Sequence, residues 1–100
     1  MQERQAVTLF SRDAPARSHV QAAIEPHGGV TIDAVDAGEF VREVWGDDDY
    51  EYALKVPAAQ KDRLLLALLE RHYGGHANAF AEIRAVLDQE SIAYGFESWV

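Results

Sequence analysis

The sequence predicts an α+β fold. The expected architecture is a two-layer sandwich: a mainly antiparallel sheet with two longer helices packed on one face, in the order β-β-β-α-β-α-α-β. Three observations predict it. Up to residue 56 the chain contains short runs in which apolar and polar residues alternate, separated by turn residues. After Pro57 the apolar spacing changes to three and four, the period of a helix. The chain has 100 residues, 48% of them hydrophobic, which suits a single α+β domain over residues 1–100 with one core.

Residues 5–12 read as the first strand, with Val7 and Leu9 on one face and Thr8 and Phe10 on the other. Asp13-Ala14-Pro15 is a turn, because proline presets φ and aspartate bonds nearby backbone. Residues 17–25 alternate again, with Val20, Ala22 and Ile24 facing inward. Pro26-His27-Gly28-Gly29 makes a tight connection to a third strand over 30–35, in which Val30, Ile32 and Ala34 share a face. Asp36 and Glu39 then stand at capping-box spacing. Phe40, Val41, Val44 and Trp45 follow at helical spacing, so a short helix of about ten residues is expected, stopping at Gly46.

Residues 49–56 form the cleanest alternation. Tyr50, Tyr52, Leu54 and Val56 share one face; Asp49, Glu51, Ala53 and Lys55 share the other. Pro57 ends that strand and opens a helix over 58–73. Leu65, Leu68, Leu69 and His72 make its stripe, widened by Leu64 and Leu66, and Gly74-Gly75 closes it. A further helix is expected over 77–90, with Phe80, Ile83 and Leu87 on one face and Val86 beside it. Ile92, Tyr94 and Phe96 alternate as a last strand. Trp99 falls out of phase with them and is expected on the opposite face.

Charge is concentrated in one place. From Asp33 to Glu51 there are eight acids and one base, a net −7 in a chain whose total is −8. The segment ends in Trp45-Gly46-Asp47-Asp48-Asp49-Tyr50-Glu51-Tyr52, where acids and aromatics interleave. Acids outnumber Lys and Arg 17 to 9, so a phosphate backbone would be repelled and nucleic acid is not an expected partner. The longest apolar run, Leu64 to Leu69, is too short to span a bilayer, and the start of the chain lacks a signal-peptide pattern. No cysteine is present, which removes disulfides and thiolate metal sites and suits a cytoplasmic location.

The usual catalytic constellations are missing. The serines occupy no Gly-x-Ser-x-Gly elbow, and the glycine doublets are not a phosphate loop. His72 and His76 are four apart, but Gly74-Gly75 interrupts them and no Glu follows the first, so no metal site is expected. The aspartate run lacks the spacing of a calcium loop. No cofactor is expected.

The stretch from Val44 to Tyr52, Val56-Pro57, the helix beginning Asp62-Arg63-Leu64 and the ending Ile92-Ala93-Tyr94-Gly95-Phe96-Glu97-Ser98-Trp99 resemble a group of small, acidic bacterial proteins of uncharacterised activity. These share a Trp-Gly-acid-Asp-Tyr-Glu-Tyr signature and an aromatic C-terminal strand. The resemblance covers about half the chain and implies a bacterial cytosolic origin. In size and charge the chain is also similar to immunity proteins and other small acidic neutralisers.

The expected function is therefore non-enzymatic protein binding, in the manner of an immunity or antitoxin-like inhibitor. An acidic ledge of Asp36, Glu39, Glu43, Asp47, Asp48, Asp49 and Glu51, with Trp45 nearby and Trp99 as a further anchor, would meet a basic protein. One alternative is a small-molecule-binding or enzymatic domain with a pocket lined by Tyr50, Tyr52, Tyr94 and Phe96. Another is a self-assembling domain, a homodimer through the Leu64–Leu69 helix or an open sheet edge.

Overall fold

Alternation along each strand becomes two chemically distinct faces once the strands pair. The computed structural model describes residues 5–37 and 49–99. Strands β1 (Ala6–Arg12), β2 (Arg17–Ile24), β3 (Val30–Ala37) and β4 (Asp49–Val56) form one antiparallel sheet in the order β1-β2-β3-β4. A short 3₁₀ turn (Ala58–Gln60) leads into α1 (Lys61–Tyr73), and α2 (Ala79–Gln89) follows. The chain divides into two compact units, Met1–Leu64 and Leu65–Val100.

Residues directly opposite each other in an antiparallel pair share a face. The register sets Ile24, Val30 and Val56 in one row, Ala22, Ile32 and Leu54 in the next, and Val20, Ala34 and Tyr52 in a third. Ser18, Asp36 and Tyr50 make a polar fourth row on the same face. The opposite face carries His19, Gln21, Thr31, Asp33, Glu51 and Lys55. The inward residues expected on β2, β3 and β4 do share one side. The central strand β3 is the best buried, with Val30, Ala34 and Ala37 under 10% exposed, whereas Leu54 on β4 remains 69% exposed.

β1 departs from simple alternation. Thr8 pairs with Gln21 and Phe10 with Val20, so two steps on β1 oppose one on β2 and Leu9 is the extra residue of a bulge. A bulge shifts every later side chain to the other face. Phe10 therefore joins Val7 on the apolar side, not Thr8 as strict alternation had it, and Arg12 lies over its ring at 5.9 Å.

The β2–β3 connection follows from its residues. Gly28 N–H donates to the Glu25 carbonyl at 2.8 Å, closing a four-residue turn with Pro26 in its second position. Gly28 then takes φ 95°, and Glu25 N–H donates to the Gly29 carbonyl at 2.8 Å to restart the ladder. A three-residue hairpin loop closed by a left-handed residue uses glycine there because a Cβ would crowd its own backbone.

Asp36 does not cap a helix. It pairs within β3 between Ser18 and Tyr50, which overturns the expected capping box. The ladder runs on to Ala37, opposite Asp49, two residues past the expected end at Val35. The short helix expected from Phe40 to Trp45 lies outside the described residues.

On α1 the half-buried residues are Lys61, Leu64, Leu69 and Tyr73, while Leu65, Leu66, Leu68 and His72 are exposed. The shaded stripe is thus rotated from the expected one. The helix ends at Tyr73, so His76 is not on it. On α2, Ala79, Ile83 and Leu87 form a half-buried line at i, i+4 and i+8.

The last strand is not formed: no strand occurs in residues 92–99. Ile92 N–H donates to the Leu87 carbonyl and Ser91 N–H to the Asp88 carbonyl, with Ser91 at φ 56°. These are the two bonds of a Schellman ending, here with serine at the left-handed position that glycine usually fills. Ser91→Gly removes the Cβ penalty there and is expected to raise stability by about 0.5–1 kcal/mol, read from urea unfolding. Beyond Ser91 the alternating aromatics serve α2 instead of a sheet. Tyr94 O–H donates to Asp88 at 2.7 Å and accepts from Arg84 Nε at 3.1 Å. Arg84 also stacks over Phe96 at 4.6 Å, and Phe96 meets Phe80 edge-on at 6.4 Å.

Candidate functional site

The polar row at one end of the sheet's apolar face holds a side-chain hydrogen-bond network. β2, β3 and β4 bring Ser18, Asp36 and Tyr50 side by side, with Tyr52 diagonal to Asp36. Ser18 Oγ donates to Asp36 Oδ1 at 2.8 Å and Tyr52 O–H donates to Oδ2 at 2.9 Å. One carboxylate thus satisfies two hydroxyls, of which Ser18 is 8% exposed. Tyr50 and Tyr52, two apart on one strand face, hold their rings 5.2 Å apart and tilted by 32°.

The hydrogen bond to Asp36 is the main reason that Tyr52 holds its proton above the ordinary tyrosine range; burial, the Asp36 charge and Tyr50 add to it. A phenol that stays neutral against a carboxylate is an anchor and a hydrogen-bonding group, not a base. In the helical unit, the bond to Tyr94 is the leading cause that raises the Arg84 guanidinium above its usual value, and this charge is already engaged by the C-terminal segment.

The candidate ledge is only partly described. Asp36 is half-buried on the apolar face, and Glu51 is exposed on the opposite one. The two do not converge. Asp49 opens β4 opposite Ala37. Glu39, Glu43, Trp45, Asp47 and Asp48 lie outside the described residues. Trp99 is 85% exposed, and because its segment is not a strand the phase argument for its direction lapses. Of the expected aromatic pocket, Tyr50 and Tyr52 belong to the sheet unit, and Tyr94 and Phe96 to the helical unit.

Reasoning from sequence missed Ser18, although the even-numbered alternation of Val20, Ala22 and Ile24 runs back to it. It also missed an open hollow of about 520 Å³ at the other end of the sheet, lined by Glu25, His27, Thr31, Asp33 and Lys55 with Val56 and Pro57. No local signal marks it, because its residues come from a turn and two strands. Among the described residues, no group of three or more His, Asp or Glu is placed to hold a metal ion, and no helix is long and apolar enough to cross a membrane. Comparison with protein families, with curated proteins and with solved structures finds no match.

Proposed function

We propose that this chain is a non-enzymatic protein-binding module that engages a basic protein, in the manner of an immunity or antitoxin-like inhibitor of the bacterial cytosol. One observation carries the reading: the −7 segment from Asp33 to Glu51 runs into an exposed tyrosine pair, Tyr50 and Tyr52, at the end of the sheet's apolar face. Concentrated like charge accelerates encounter with an opposite surface and sets register more than it adds affinity. Tyrosines supply the complementary part, a large amphipathic contact at small entropic cost. Tyr52 is held in place by Asp36, so it enters an interface with its rotamer already chosen.

The test is a triple variant, Asp47, Asp48 and Asp49 each to Asn, which removes three charges without changing side-chain size. With a partner recovered from the native cytosol at low and moderate salt, the parent is expected to associate faster at low salt. The variant should associate about tenfold more slowly there, with a flatter salt dependence and unchanged unfolding. Equal association rates and equal salt slopes for the two proteins would reduce the aspartate run to a solvated connection.

A further inference from the structure

The hollow at the β2–β3 turn is built from groups that the sheet does not use for itself. Thr31 and Lys55 are direct cross-strand neighbours on the polar face, and Asp33 is two residues further along β3 on that same face. Glu25 and His27 approach from the turn. The hollow therefore carries two carboxylates and one ammonium. None of the three charges is ion-paired among the described residues. Opposite charges left unpaired around a concave surface are a ligand's charge pattern in negative.

Two further groups point the same way. Thr31 is only 7% exposed, and its hydroxyl has no hydrogen-bond partner among the described residues. No fully enclosed side-chain polar atom among the described residues lacks a partner, so this hydroxyl keeps access to solvent, and Thr31 is one of the residues lining the hollow. A hydroxyl there can bond whatever fills the hollow. His27 Nδ1 accepts the Gly29 N–H at 3.2 Å, which leaves the hydrogen of the neutral ring on Nε2 as a donor. The ring lies close over Gly29, where an added Cβ would stand 2.7 Å from His27 Cε1 and 3.0 Å from the Val56 carbonyl.

We propose that this hollow binds a free basic amino acid, a molecule with two cationic groups and one carboxylate. Glu25 and Asp33 take the α-ammonium and the side-chain cation, Lys55 takes the carboxylate, and Thr31 and His27 supply neutral hydrogen bonds. The charges decide among rivals. A simple amine would face Lys55 with nothing to offer it. A dicarboxylate would face both Glu25 and Asp33. A neutral zwitterion would leave one of those acids without a counterpart. The volume falls in the range of small-molecule sites. The site shares Asp33 with the acidic segment but none of the acids from Asp36 to Glu51, and it does not depend on a protein partner for those.

The test uses the full chain and L-arginine, followed by calorimetry and by backbone amide shifts. L-arginine is expected to saturate a site with a dissociation constant below about 1 mM, with shifts centred on residues 25–33 and 55–57. Agmatine, which lacks the carboxylate, and N-acetyl-L-arginine, which lacks the α-ammonium, should each bind at least about tenfold more weakly. Lys55→Met, at an exposed position of β4, should weaken L-arginine at least about tenfold without weakening agmatine. The assignment is overturned by shifts that do not saturate or that fall elsewhere. It is equally overturned if agmatine matches L-arginine, or if Lys55→Met affects both ligands alike.

Discussion

Asp36→Ala is expected to destabilise the protein by about 2–3 kcal/mol, measured by urea unfolding. The substitution removes the acceptor of two hydroxyls at once. The larger part of the loss comes from Ser18, which is buried and would be left with an unmade hydrogen bond. Asp36→Asn keeps one carbonyl oxygen and the volume, so it should lose about half as much. A change within about 0.5 kcal/mol of the parent for Asp36→Ala would mean that the network is not formed in solution.

The same network makes a prediction about pH. Tyr52 ionises above the ordinary tyrosine value in the folded protein, chiefly because its proton is committed to Asp36. A folded value above the unfolded one favours folding while the phenol is protonated. That contribution is complete below about pH 10 and is lost as pH rises through the folded value. Ultraviolet titration of the parent should show a phenol ionising above the ordinary tyrosine value, and Tyr52→Phe should remove it. In Asp36→Asn that phenol should titrate earlier.

Gly28→Ala carries the second large effect, an expected loss of about 1–2 kcal/mol in urea unfolding. The cause is backbone and not crowding. The added methyl would meet Ala58 Cβ at 3.5 Å, an ordinary contact, but φ 95° is a conformation that side-chain-bearing residues resist. Gly28→Asn should lose less, since asparagine visits positive φ more readily than alanine. Equal losses for the two would point to the contact with Ala58 and Lys61 instead.

The residues that were legible in sequence are those whose signal is local. Tyr50, Tyr52, Leu54 and Val56 share a face because a strand has period two, and β4 spans Asp49–Val56 as expected. The helix after Pro57 and its end before Gly74-Gly75 follow from proline and glycine backbone preferences. What was misread had the right local signal and a different partner. Ile92, Tyr94 and Phe96 alternate as a strand would, but no strand forms there and α2 supplies the contacts of Tyr94 and Phe96 through Arg84, Asp88 and Phe80. Alternation reports extended backbone and cannot say whether a strand lies alongside.

Sequence by itself thus determined the periods, the turns, the opposed faces of the sheet and the location of the charge, all of which depend on residues within a few positions of one another. The tertiary structure alone decided the side on which Phe10 lies, the fate of Asp36 and the grouping of Glu25, His27, Thr31, Asp33 and Lys55 around one hollow. The physical reason is common to the three. A bulge, a ladder that runs past an expected cap, and a cluster drawn from a turn and two strands are set by which strand pairs with which and in what register. Those are interactions between residues far apart in the chain, and no window of neighbouring residues contains them.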